Sequence, residues 1–149
     1  MGDSTAIDAA HLPRPVVLVA EDDDGVREVT VQMLADAGLE VLCARDGREA
    51  VERVRSEGPR ICAVVLDLMM PVMDGRTALR EIRRLRPDLP VVVTSGLDGR
   101  EVLGRTLASS VAAVLRKPYR MSELVEAVQR AAAWKRTQVT STASQGGRS

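Results

Sequence analysis

VVLVAEDDD, residues 16–24, and ICAVVLD, residues 61–67, share one pattern: an apolar run with no polar alternation, ending on carboxylates. A strand that alternates is buried on one face; a short continuous Val/Ile/Leu run is what a strand buried on both faces requires. Working outward, three further runs follow the same rule, Glu40–Ala44, Pro90–Thr94 and Ala112–Arg116. Between the runs the apolar spacing changes to that of helices. Val26, Val29, Met33, Leu34 and Ala37 form one stripe, closed by Gly38. Ala50, Val51 and Val54 follow a D-G-R-E start at Asp46, and Gly58-Pro59 stops them. Ala78, Leu79, Ile82 and Leu85 form a third stripe. Val102, Leu103 and Leu107 form a weaker fourth after Asp98, and Leu124, Val125, Val128 and Ala132 a fifth. Strand–helix alternation, five times over, predicts an α/β fold with a parallel sheet and helices on both faces. Five units are too few for an eight-fold barrel. The expected solution is a doubly wound, flavodoxin-like (βα)5 sheet in the order 2-1-3-4-5, with a ligand crevice outside the carboxyl ends of strands 1 and 3.

The chain has 149 residues, and the ordered domain is expected over 14–134, with disordered tails at 1–13 and 135–149. Basic and acidic residues balance at 21 each, which argues against direct nucleic-acid binding. No apolar run approaches the ~20 residues that cross a bilayer, and the N-terminus carries no secretory pattern, so no membrane association is expected and the cytoplasm is the default location. Cys43 and Cys62 form no CxxC pair and read as core residues. The one histidine, His11, lies in the N-terminal stretch, leaving histidine-based chemistry without a candidate in the domain.

The strand ends carry the chemistry. Strand 1 runs into Glu21 and Asp22, strand 3 into Asp67, strand 4 into Ser95 and strand 5 into Lys117. Any one of these alone is ordinarily a turn or cap residue, as one of Asp23 and Asp24 is for the next helix. Together at one end of one sheet they form a cleft of carboxylates that repel one another. A hard divalent cation resolves that repulsion, and Mg²⁺ suits one or two carboxylates plus waters and a phosphate oxygen. Nineteen arginines against two lysines make a lysine at a strand end conspicuous.

At EDDDGVRE, VVLDLMMPVMDG, VVVTSG and VLRKPYR, from about Pro15 to about Trp134, the chain resembles the receiver domain of bacterial two-component response regulators. The resemblance implies that Asp67 is the phospho-acceptor. It implies Mg²⁺ held by Asp22, Asp67 and the Met69 backbone carbonyl, with Glu21 acting through water. Ser95 matches the switch hydroxyl, Lys117 the phosphate-binding lysine, and the Lys117–Pro118 bond is expected to be cis. Implied partners are a sensor histidine kinase or a histidine phosphotransfer protein, and a downstream protein target. With no output domain evident in the sequence, signalling is expected to pass through binding or phosphotransfer, and parts of it resemble receivers attached to hybrid kinases.

Three positions depart from the family pattern or tune it. Val114 stands where the family usually has Phe or Tyr, so the usual aromatic readout has no ring to move. Met69 and Leu97 occupy the positions that flank the approach of a hydrolytic water, and neither side chain can hydrogen-bond one. Two other function classes compete. A phosphorylation-independent interaction module with the same fold is set against the intact acid cluster. A phosphatase with an Asp nucleophile would need a second acid two residues on, and Met69 stands there.

Overall fold

The computed structural model describes residues 15–146, with side chains through Ala133. Five strands alternate with five α-helices: β1 Val16–Ala20, α1 Asp24–Asp36, β2 Glu40–Ala44, α2 Gly47–Glu57, β3 Ile61–Asp67, α3 Gly75–Leu85, β4 Val91–Ser95, α4 Gly99–Ala108, β5 Ala113–Arg116 and α5 Met121–Gly146. The sheet order is β2-β1-β3-β4-β5 and every pairing is parallel, as the sequence pattern predicts.

Alternation along β1 explains the double winding. Val16, Leu18 and Ala20 join one apolar cluster with Val51 and Val54 of α2, Leu79 and Ile82 of α3 and Leu103 of α4. Val17 and Val19 join another with Leu34 of α1 and Leu124 and Val128 of α5. Both sides of the strand need apolar cover, so the run carries no polar alternation. Strand ends differ from the sequence reading by one residue. β3 continues to Asp67, and β4 spans Val91–Ser95. Pro90 has no N–H to give a ladder, although its carbonyl accepts from Val64 N at 3.0 Å.

One helix departs from its expected phase, and another is broken. In α1 the buried residues are Thr30 and Leu34, while Val29 is 50% exposed and Met33 is exposed as well. The Thr30 hydroxyl donates to Val26 O at 2.8 Å within its own helix, which lets a formally polar side chain face the core. In α4, Gly104 breaks the helix at φ 80°, ψ 166°. Even so, Leu103 is buried in the core cluster and Val102 and Leu107 pack against it, as the stripe predicts.

The last backbone helix runs into the expected tail at 135–149. Backbone helix continues to Gly146, because no proline or glycine interrupts α5 before that residue. Residues 1–13 and 147–149 lie outside the described residues. No helix among the described residues is long and apolar enough to cross a membrane.

The end of the sheet remote from the acids is tied by two arginines of α3 and its C-cap. Arg83 Nη1 donates to Leu89 O at 2.7 Å and Nη2 to Ser110 O, while Arg86 Nη1 donates to Gly58 O at 2.8 Å. Removing a donor from half-buried carbonyls costs ~1–3 kcal/mol. Arg83→Met should therefore destabilise the protein by about 2 kcal/mol in urea unfolding. Arg84→Met, which loses only an exposed pair with Glu81, should cost under ~0.5 kcal/mol. Equal losses in the two variants would contradict the clamp.

Candidate functional site

The site forms because parallel strands place all their carboxyl ends on one edge. Ala20 of β1 pairs with Leu66 of β3, so Glu21 and Asp67 emerge side by side. Asp67 pairs with Thr94 and Ser95 with Arg116, which brings the ends of β4 and β5 to the same edge. Lys117 N donates to Ser95 O at 2.7 Å, so lysine and hydroxyl sit on hydrogen-bonded neighbours.

One carboxylate oxygen from each of Glu21, Asp22 and Asp67 lies within 4.8 Å of the others. Glu21 and Asp67 are 5% and 3% exposed, whereas Asp22 is open to solvent. Lys117 Nζ reaches Asp67 Oδ2 at 3.3 Å and Glu21 Oε1 at 3.4 Å. Its stem is half-buried while the ammonium bridges both acids. One ammonium against three carboxylates leaves the cleft short of positive charge. Burial pushes the Glu21 carboxyl up from 4.5 to about 7, and the neighbouring Asp67 carboxylate adds to the rise. The Asp23 amide and Lys117 pull the other way without overcoming it. Burial alone would lower Lys117, but Asp67 and Glu21 hold its ammonium above the usual lysine value. Three hard oxygen donors so close, one of them pushed towards neutrality, are chemically suited to a small divalent cation.

Close backbone approach shapes the rest. A Cβ on Gly75 would stand 2.4 Å from Asp67 O, so α3 can begin directly under the acid only at a glycine. Asp67 Oδ1 accepts from Met69 N at 3.1 Å, which fixes one face of the carboxylate. Between them, Val72 takes φ 68°, a conformation that a β-branched residue rarely adopts. Met73 N→Pro71 O at 2.7 Å closes that turn, and Met73 O accepts from Gly47 N at 3.1 Å. The loop after β3 is thus held against the start of α2.

Ser95 is fully buried, and its Oγ accepts from Leu97 N at 3.1 Å. The side chains of Met69 and Leu97 are exposed. Val114 is half-buried and packs at the first turn of α4: a Cβ on Gly99 would fall 2.7 Å from Val114 Cγ1 and 3.5 Å from Ser95 Cβ. The Lys117–Pro118 peptide is cis, as expected. Glu21, Asp22, Asp67, Met69, Ser95, Leu97, Val114 and Lys117 therefore lie at one edge or its border, Cys43 and Cys62 lie in β2 and β3 away from it, and His11 lies outside the described residues. Gly75 and Arg27, whose guanidinium donates to Glu21 O at 2.9 Å, stand inside the quoted motifs but were assigned no role there, and Gly99 was not noticed. Their signals are steric or long in reach, and a motif reading does not register either.

With fold and site together, the chain belongs to the response regulator receiver domain family, whose model matches residues 17–129. It is a receiver domain of the two-component systems. It is 38% identical over 109 residues to the response regulator MprA of Mycolicibacterium vanbaalenii, covering 73% of this chain and 46% of that protein. It is 37% identical over 114 residues to the sensor kinase CckA of Brucella abortus, covering 76% of this chain and 12% of the kinase. The chain thus spans less than half the length of either relative. Among solved structures it resembles CheY in the CheX–CheY–BeF3–Mg²⁺ complex of Borrelia burgdorferi, with a TM-score of 0.70 and 26% identity over 78% of this chain and 87% of that one.

The Glu21 shift makes a pH prediction for the metal-free protein. A carboxyl whose folded value lies above its unfolded one contributes stability that is complete below the unfolded value and lost as pH rises through the folded value. In EDTA, stability should fall between pH 4.5 and about 7. Urea unfolding of Glu21→Gln should show a shallower fall over the same window. Parallel profiles for wild type and variant would contradict the assignment.

Proposed function

We propose that this receiver is a signalling phospho-acceptor whose Asp67 carboxylate takes a phosphoryl group from a phosphohistidine, with Mg²⁺ as cofactor. The carrying observation is the convergence of buried Asp67 with Glu21, Asp22 and the Lys117 ammonium, at 3.3 Å from Asp67 Oδ2. A carboxylate is a competent nucleophile towards phosphorus. One Asp67 oxygen forms the new P–O bond as the P–N bond to the donor imidazole breaks, and the electron pair returns to that nitrogen.

In this reading Asp22, Asp67 and the Met69 carbonyl hold the cation directly and Glu21 does so through water. Mg²⁺, when bound, supplies charge neutralisation at the phosphoryl oxygens. The CheX–CheY complex of Borrelia burgdorferi that the chain resembles contains Mg²⁺ and BeF3, which supports the assignment. Lys117 is a compact point charge able to leave the carboxylates and pair with a phosphoryl oxygen. Ser95 Oγ, which accepts from Leu97 N in the structure described, keeps its own proton to donate to another oxygen. That contact exists only with phosphate present, so it biases the loop after β4 towards a second arrangement. The donor is a sensor histidine kinase or a histidine phosphotransfer protein, and a downstream protein reads the result. The likeness to part of a sensor kinase supports the first half of that statement.

Incubation with acetyl phosphate and Mg²⁺ should add one phosphate to the intact mass. Asp67→Asn should add none, and omitting the metal should suppress the adduct. A wild-type mass unchanged under all conditions would overturn this reading and favour an interaction module that works without phosphorylation.

The lifetime of the adduct follows from its border. Hydrolysis requires a water held in line with the leaving oxygen, and the exposed Met69 and Leu97 side chains offer it no hydrogen bond. The adduct should therefore be long-lived in the absence of a phosphatase or phosphotransfer partner. Met69→Asn and Leu97→Glu should speed its decay by about tenfold, a barrier change of ~1.4 kcal/mol. Decay as slow as wild type in both variants would show that these side chains do not set the lifetime.

A further inference from the structure

The turn carrying Glu21 and Asp22 is tied down on both sides of Asp22. Glu21 N donates to Ala44 O at 3.0 Å. Asp23 N donates to Glu21 Oε2 at 3.2 Å, and Asp23 Oδ1 accepts from Val26 N at 2.9 Å. The Glu21 carbonyl belongs to the peptide that joins the two acids, so its direction decides where both side chains start. That carbonyl accepts from Arg27 Nη1 at 2.9 Å. The second nitrogen of the same guanidinium donates to Asp24 Oδ1. The Arg27 side chain is 11% exposed although it carries a full charge, and Asp24 is well exposed. A cation so withdrawn from water is costly unless its bonds hold it there. Arg27 thus forks between the peptide at the head of the cleft and the first residue of α1, bracing one against the other.

We propose that Arg27 is a positioning residue for the cation-binding edge of the site, acting through the Glu21–Asp22 peptide. The inference rests on the proposed Mg²⁺ role of those acids. Its force lies in the sign of the expected effect. Were Arg27 felt only as charge, it would repel a divalent cation held nearby, and removing it would tighten binding. A residue that orients ligands has the opposite signature: its loss weakens binding, as loss of outer-sphere partners of metal ligands does.

The test is a Mg²⁺ titration of the full chain by calorimetry and by amide shifts, for wild type, Arg27→Met and Arg27→Lys. In Arg27→Met the Mg²⁺ dissociation constant should rise about tenfold. The Mg²⁺ concentration giving half-maximal phosphorylation by acetyl phosphate should rise in step, with the rate at saturating Mg²⁺ unchanged. Arg27→Lys, which keeps the charge and one donor but not the fork, should recover part of the loss. In metal-free Arg27→Met, the Asp23 amide should exchange faster with solvent, because the turn that holds it has lost its brace. Amide shifts read only the folded protein, so a general loss of stability would not imitate the loss of affinity, and unchanged exchange in the core strands separates the Asp23 effect from global opening. Arg27→Met binding Mg²⁺ as tightly as wild type, or more tightly, would overturn the inference while leaving the proposed function intact. Wild type failing to bind Mg²⁺ at all would overturn the proposed function, and this inference with it.

Discussion

Three carboxylates, two of them buried, facing one ammonium is the constraint on which the rest of the structure depends. Glu21 and Asp67 are buried, and burial makes each charge expensive. Lys117 spans the two and leaves the balance incomplete. The proton that Glu21 retains to about pH 7 is one way of relieving the cleft, and a cation is another. Lys117 is central to the proposed chemistry because its bonds to the acids can be exchanged for bonds to a phosphoryl group of the same sign.

Around that cleft the fold acts as a rigid frame. Parallel pairing sets β1, β3, β4 and β5 in a register that puts their last residues on one edge. The two apolar clusters hold the sheet from both faces, while Arg83 and Arg86 close its far end. Rigidity at that end contrasts with the site edge, where Val72 is held at φ 68° and α4 is broken at Gly104. The segment from Ser95 to Gly104 is tied by the Lys117 N–Ser95 O bond, the Ser95–Leu97 contact, the Asp98 cap, the packing of Gly99 on Val114 and the buried Leu103. In the proposed function this is the segment that takes a second arrangement, with Ser95 at its root.

Much of this was legible in the sequence, for identifiable reasons. Continuous apolar runs report burial on two faces directly, so the parallel sheet and the edge carrying Glu21, Asp67, Ser95 and Lys117 followed from pattern, while the strand order followed from the common five-stranded doubly wound solution. Caps were legible where an acid precedes a helix: Asp46 accepts from Glu49 N at 2.8 Å and Asp98 from Arg100 N at 3.1 Å. The phase of α1 was not, because Thr30 reads as polar until its hydroxyl is seen bonded inside the helix. The break at Gly104 was hidden because glycine inside a helical stripe is commonly tolerated. Helix at 135–146 was hidden by a composition that resembles a tail. Gly75 and Arg27 were missed because their importance lies in what stands opposite them, Asp67 O and Glu21 O, and no linear motif contains that information.

The central claim is that one carboxylate of the three, Asp67, carries the phosphoryl group while Glu21 and Asp22 serve the cation. Borohydride reduction of the phosphorylated full chain converts an acyl phosphate to an alcohol, and peptide sequencing by mass spectrometry then locates the altered residue. The account predicts reduction at Asp67 alone, with Glu21 and Asp22 unmodified. Reduction at Glu21 or Asp22 with Asp67 intact would contradict it.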